Sequence, residues 1–401
     1  MTSRMLRLAL VLGLLSAIGP FAIDMYLPAL PAIGASLHAD PAQVQMSLTA
    51  FFIAIGIGQL LYGPVSDMAG RKAPLFFGLG LYTLASVGCA LARDVEMLVA
   101  LRFVQGLGAA AGMAIPRAVV RDLHTGNDAA RLMSLLMLVF SVSPILAPLA
   151  GSGLIALSGW RAVFWFAAAA GLAGLALTTF SLTETRSRSQ RLDSSLGGAL
   201  RAYGVLLRDG HYLGLVFIGS FAMGGFFVYL ANSSFVFIDH YGFTPTQYSL
   251  AFGLNAAAFI GAAQFTAALG ARLGLPRLVR RAALASAAAM CVMLVYFLAG
   301  GDDFRVLMAL QFVGSAFVGW VIPSTSVLAL ETHGGIAGTA SALMGTLQML
   351  TGALMMGASS LFVGHSPVMM VVGMAAGVFG SLLLTWLTLG APGQRMRVHG
   401  A

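Results

Sequence analysis

Two charged side chains stand where charge is hardest to keep. Asp24, in the stretch Phe21-Ala22-Ile23-Asp24-Met25-Tyr26-Leu27-Pro28, is the only charged residue between Arg7 and Asp40, and that stretch closes an apolar run that opens at Leu6. Arg102 sits inside a later apolar run that starts near Val95. An ionised side chain at membrane depth costs roughly 2.5–3.5 kcal/mol even on a lenient insertion scale, so it faces a cavity or a partner. With a helical rise of about 1.5 Å per residue, Arg102 lies roughly 10 Å past the start of its run and Asp24 roughly 14 Å before the end of its own, at similar depth below one membrane face. The two are expected to face one cavity. A carboxyl whose hydration and distance to a guanidinium change with conformation takes up and releases a proton, which makes a coupling device. A permanent structural ion pair is the plainer alternative.

A second cluster is Gly63-Pro64-Val65-Ser66-Asp67-Met68-Ala69-Gly70-Arg71-Lys72, between two apolar runs. Asp67 and Arg71 are four apart, a spacing that lets them pair or complement a helix end. Gly63 and Gly70 allow the tight turn that so short a connection needs.

The elements that position these residues follow from composition. Of 401 residues, 59% are hydrophobic and 9% charged, against roughly 25% charged in soluble domains. Runs of about 20 apolar residues recur throughout, the length a bilayer-spanning helix needs. Twelve spans fit: 6–33, 44–66, 73–92, 95–118, 132–157, 161–182, 211–236, 246–269, 281–299, 305–330, 336–362 and 368–390. The N-terminal run is read as a retained first helix, not a signal peptide, because it exceeds an ordinary signal core without a small-residue cleavage site. The polar break from 184 to 210 divides the chain into a six-helix bundle at 1–183 and another at 211–401, with a surface amphipathic helix expected near Leu196–Leu207.

The halves share Leu101-Arg102-Phe103-Val104 with Leu310-Gln311-Phe312-Val313, and Ile115-Pro116 with Ile322-Pro323, at an offset of about 208 residues. Duplicated halves with a midplane site between them characterise secondary transporters. Eighteen Lys and Arg residues, Arg188, Arg395 and Arg397 among them, fall on one side of this topology. Only Arg93, Arg161 and Arg305 fall on the other. By the positive-inside rule both termini are cytoplasmic. The net charge of +8 is thus a topology signal, and no nucleic-acid partner is expected. Cys89 and Cys291 lie in separate runs and read as free thiols. The histidines, including His124, His211, His240, His333 and His365, lie near loops or span ends. Neither a metal nor another cofactor is expected, and no nucleophile–base pair or nucleotide motif suggests an enzyme.

The 63–72 loop resembles the signature motif of the major facilitator superfamily, G-x-x-x-D-x-x-G-R-[KR]. Leu98 to Ala110 resembles that family's span-four motif around Arg102. Ser143-Pro144-Ile145-Leu146-Ala147-Pro148-Leu149-Ala150-Gly151-Ser152 resembles its antiporter motif, with Ala147 and Ser152 where glycines are usual. With Ile23-Asp24-Met25-Tyr26-Leu27-Pro28, Val120-Arg121-Asp122, Gly159-Trp160-Arg161, Glu184-Thr185 and Ala337–Ala342, the chain is similar throughout to the Bcr/CflA (bicyclomycin/chloramphenicol resistance) drug:proton antiporters.

The resemblance implies an all-α, twelve-helix major facilitator fold in two pseudo-symmetric bundles, in a bacterial inner membrane; a monomer is expected because no dimerisation feature stands out in the sequence. It implies proton coupling at Asp24 and Arg102, a conformational lock at Gly63, Asp67, Gly70 and Arg71, and an antiporter bend shaped by Pro144, Pro148 and Gly151. The second-half copy of the loop, Gly270 to Arg277, lacks the acid, which leaves the lock mainly to the first half. The substrate cavity is then expected among spans one, four, seven and ten, with two, five, eight and eleven beside them. Its candidate wall residues are Met25, Tyr26, Gln105, Tyr229, Asn232, Phe235, Asn255, Gln311 and Gln348. Methionine and aromatic side chains give an adaptable apolar surface and amides fix orientation. The expected cargo is a small amphipathic, drug-like compound exchanged for protons. A metabolite exporter, or a symporter of sugars or organic acids, is the alternative on the same fold.

Overall fold

In this computed structural model, residues 3–124, 126–187, 191, 195–360 and 366–390 are described. Arg188, His365, Arg395, Arg397 and the tail beyond residue 390 lie outside them. Among the described residues all regular structure is helical.

The first span is not the single helix that its unbroken apolar run suggests. Helix α1 (Ser3–Asp24) ends on the acid itself. A turn at Met25 and Tyr26 leads through a 3₁₀ segment, Leu27–Ala29, into a short helix α2 (Leu30–Leu37). Pro28 and Pro31 begin these two pieces, and a proline lacks the N–H that a continuing helix would use. Then follow α3 (Pro41–Ala69), α4 (Lys72–Ala90), α5 (Val95–Leu123), α6 (Gly126–Ser158) and α7 (Arg161–Phe180). The amphipathic α8 (Leu196–Arg208) crosses the connection with Leu196, Leu200, Val205 and Leu207 exposed and Leu206 buried. The remainder is α9 (Gly210–Phe235), α10 (Pro245–Gln264), α11 (Thr266–Leu273), α12 (Leu275–Leu298), α13 (Phe304–Glu331), α14 (Ala337–Ser360) and α15 (Pro367–Leu389).

Among the described residues, ten spans are long and apolar enough to cross a membrane. The α10–α11 pair, bent by 44°, makes an eleventh. The twelfth expected span corresponds to α14, 24 residues long but less apolar, with Thr339, Ser341, Thr346, Gln348 and Thr351 along it. It packs between α3 and α9, and a helix covered by protein needs less apolar surface than one facing lipid.

Helix starts are fixed locally. Asp40 and Gln43 form a capping box on α3, as do Thr244 and Gln247 on α10, and Asp94 accepts the Met97 N–H at 2.7 Å on α5. In the first set of helices α3 and α4 pack on α5, α4 on α7, and α1 on α5 and α6. In the second, α9 packs on α13, α14 and α15, with α12 between α13 and α15. The two sets meet where α14 lies on α3 and α10 lies on α6.

Candidate functional site

At the end of α1 the Asp24 carboxyl is 5% exposed. It accepts a hydrogen bond from Ser143 Oγ of α6 at 3.0 Å. Beside it the α6 backbone closes on the broken turn: a Cβ on Gly151 would strike the Met25 carbonyl oxygen, so a side chain there would force α6 and the turn apart. Met25 packs against fully buried Ala147 and against Val163. The Pro144–Gly151 stretch thus forms the seat of the Asp24 turn. The same stretch reaches the other set of helices, because Ser249 Oγ of α10 donates to the Pro148 carbonyl at 2.9 Å.

Arg102 is completely buried, yet it does not pair with Asp24. Its Nη1 donates to Gln105 Oε1 at 2.7 Å and to the Ala22 carbonyl at 3.3 Å, two residues before the acid. The guanidinium lies 3.9 Å from the Phe51 ring centre and 4.5 Å from that of Tyr26. The expectation of one shared cavity is therefore corrected. Asp24 turns to α6 and Arg102 turns to aromatic faces. Arg102 lines a cavity between α1 and α7 that Asp24 does not line.

The loop after α3 holds the densest charge network. Gly70, at φ +91°, ends α3 in a conformation that other residues rarely adopt. Arg71 is 3% exposed and meets Asp67 at 2.8 Å, the pairing that their spacing allows. It also forks onto Asp122 at the end of α5, Nε to Oδ2 at 2.7 Å and Nη2 to Oδ1 at 3.0 Å, and donates to Ser66 Oγ at 2.7 Å. Glu184 accepts the backbone N–H groups of Arg71 and Lys72 at 2.9 and 3.2 Å, where α4 begins. Burial alone would raise the pKa of Glu184. The N–H groups of Arg71, Arg186 and Lys72, with the Arg191 charge, outweigh that and hold it below the ordinary value of 4.5. Thr185 completes the set by donating to Asp122 at 2.9 Å.

This network borders a cavity of about 880 Å³ between the two sets of helices. Gln59, Gly63, Asp67, Arg117, Arg121 and Asp122 line one side of it, Gly338 to Ala342 of α14 another, and Ser195 to Tyr203 of α8 its rim. At the opposite end the sets are in contact: Gln45 Nε2 of α3 donates to Asn232 Oδ1 of α9 at 3.2 Å.

None of the nine candidate wall residues lines the large cavity. Met25 and Gln105 line the α1–α7 cavity. Tyr26 is buried and shares a hydrogen bond with Ser47 at 2.7 Å. Tyr229 accepts from Asn255 Nδ2 at 2.9 Å, and Phe235 is buried nearby on the same helix as Asn232. Gln311 donates to Ser315 at 3.2 Å beside a void of about 30 Å³, and Gln348 is half-buried against Gly219. Sequence reasoning missed Ser143 and the joint roles of Asp122 and Glu184 around Arg71. Sequence reasoning reads Arg117 as a topology marker, and Arg121 as that and as part of Val120-Arg121-Asp122, but does not bring the two together, although four residues apart on α5 they share a face.

Residues 12–356 match the family model described as Major Facilitator Superfamily. The Uncharacterized MFS-type transporter YdgK of Bacillus subtilis (strain 168) is 36% identical over 97% of both chains. A Bicyclomycin resistance protein homolog of Haemophilus influenzae is 32% identical over 84% of both. Among solved structures, a D-xylose-proton symporter superposes with a TM-score of 0.76 at 17% identity, over 95% of this chain and 97% of that one. At that identity the likeness concerns the fold alone.

Proposed function

The chain belongs to the Major Facilitator Superfamily, and from that premise we propose that it exports small amphipathic, drug-like compounds in exchange for protons. The six-helix sets before and after the 184–210 connection act as two bodies that rock about Asp24, in a bacterial inner membrane with both termini in the cytoplasm, and the working unit is a monomer. One observation carries the reading. Asp24 is buried at a break in its span, and among the described residues its side-chain hydrogen bond comes from Ser143 on α6, the helix that Ser249 ties to the second set. Movement of the second set against α6 then changes the hydration of that carboxyl. A membrane potential supplies ~2.3 kcal/mol per charge per 100 mV, so each inward proton supports an outward gradient.

The arrangement favours export in a specific way. The large cavity opens at the end bearing the basic loops, where a compound from the cytoplasm would enter. The Gln45–Asn232 contact closes the other end. Arg71, with Asp67 and Asp122, stays paired within the first set and holds the loop that locks against the second set when that cavity shuts. The drug-resistance naming of the Haemophilus relative supports the cargo class.

The test is uptake of labelled compounds into inverted vesicles under an imposed pH gradient, with the compounds chosen by a susceptibility panel in a pump-deficient strain. Asp24→Asn is expected to insert and fold but to lose the response to the gradient. Full gradient-driven transport in that variant would remove the carboxyl from the mechanism. Counterflow with sugars or organic acids, uncontested by drugs, would replace the cargo.

A further inference from the structure

Between α1 and α7 lies a cavity of about 220 Å³ that Met25 borders but Asp24 does not line, and that shares no lining residue with the large cavity. Its walls are apolar: Leu14, Ile18 and Phe21 from α1, with Phe166, Ala170 and Leu177 from α7. Leu14 and Phe166 are 56% and 45% exposed, so the mouth opens sideways, on the surface these spans turn to hydrocarbon. Its depth is different in kind, for Arg102 and Gln105 lie there.

Arg102 spends only Nη1 on protein acceptors. Among the described residues its Nε and Nη2 have no hydrogen-bond partner, and the residue is 0% exposed. No carboxylate lies within ion-pair distance among the described residues, in contrast to Arg71 with its two acids. The Phe51 and Tyr26 faces compensate in part, since a desolvated cation is attracted to the aromatic face it lies over. A buried ion left without a counter-charge is destabilising unless something supplies one. Nε and Nη2 form one edge of the guanidinium, the edge that takes a carboxylate with two parallel hydrogen bonds.

The geometry points to a membrane-facing binding site for a small amphipathic monoanion, a carboxylate on an aromatic body, entering sideways from the bilayer. Its rings lie between α1 and α7 and its carboxylate meets the free edge of Arg102. A cavity of about 150 Å³ takes benzene, so this one suits one or two fused rings and is too small for a two-chain phospholipid. The site is distinct from the export path proposed above, and its test reads binding, not transport.

The probe is 2-naphthoate, titrated calorimetrically into the full-length protein in detergent, with its methyl ester as the neutral counterpart. The acid is expected to bind at one site at least tenfold more tightly than the ester. Ala170→Trp, which fills the mouth and leaves Arg102 in place, is expected to weaken the acid at least tenfold while melting temperature and pH-driven efflux stay as in the wild type. Arg102→Gln is expected to abolish the preference for acid over ester. If Arg102→Gln does not fold, the acid–ester comparison on the wild type and Ala170→Trp decides. Absent or equal binding of the two probes, or acid binding untouched by Ala170→Trp, would overturn the site. So would native mass spectrometry showing a phospholipid retained by the wild type and released by Ala170→Trp, with no naphthoate bound.

Discussion

Ser143 Oγ donates to Asp24 Oδ2 at 3.0 Å across 119 residues of sequence, joining the broken end of α1 to the middle of α6. A hydrogen bond to a charged group contributes about 1.5–3 kcal/mol, enough to alter how readily the carboxyl changes its proton. Ser143→Ala is therefore expected to move the pH at which vesicle efflux is half-maximal and to slow it several-fold at neutral pH. Ser143→Thr restores both. An unchanged pH–rate profile in the alanine variant would show that the bond plays no part in coupling.

Arg71 ranks its two acids differently from the sequence pattern. Asp67 occupies the motif position but is 42% exposed, whereas Asp122 is 12% exposed and holds the guanidinium with two hydrogen bonds. An exposed pair is worth about 0.2–1 kcal/mol. Removing one partner of a buried pair costs about 3–5 kcal/mol. Asp122→Asn is expected to lower the melting temperature in detergent by clearly more than Asp67→Asn, and the double variant to add little to it. Equal shifts for the two single variants would refute the ranking.

Glu184 gives a pH dependence with a definite sign. Its folded-state pKa lies below 4.5 because, against burial, the N–H groups at the start of α4 favour the carboxylate. The stabilisation it contributes is complete above the ordinary glutamate range and is lost as pH falls through the lowered folded value. Glu184→Gln should therefore melt below the wild type at pH 7, with the difference closing in acid. A difference that stays constant from neutral to acid pH would mean that the charge of Glu184 is not what holds the turn.

The features legible in the sequence were those carried by short-range pattern. Repeated apolar runs announce the spans, the cost of charge in hydrocarbon singles out Asp24 and Arg102, and the four-residue spacing allows the contact of Asp67 with Arg71. What stayed hidden depends on residues far apart in the chain. Asp122 and Glu184 reach Arg71 across 51 and 113 residues, and no local period signals such contacts. Arg102 shows the limit most clearly. Matching depths suggested Asp24 as its partner, but depth says nothing about azimuth, and the guanidinium faces Phe51 and Tyr26 instead. The break after Asp24 was equally invisible to hydropathy, although Pro28 and Pro31 marked it.

Gly151 offers the sharpest test of how α6 supports the acid. Its Cα faces the Met25 carbonyl so closely that an added Cβ would overlap backbone, which cannot swing aside as a side-chain tip can. Overpacking of this kind costs typically 1–3 kcal/mol, and relief requires α6 to move off the turn, stretching the Ser143–Asp24 bond. Gly151→Val is thus expected to lower the melting temperature and also to shift the pH–rate profile in the same direction as Ser143→Ala. Gly153, two residues on, has nothing within 4 Å of its would-be Cβ. Gly153→Ala is accordingly expected to transport like the wild type. If Gly151→Val destabilises but leaves the pH profile where it was, the close approach serves packing alone and the proton site is set elsewhere.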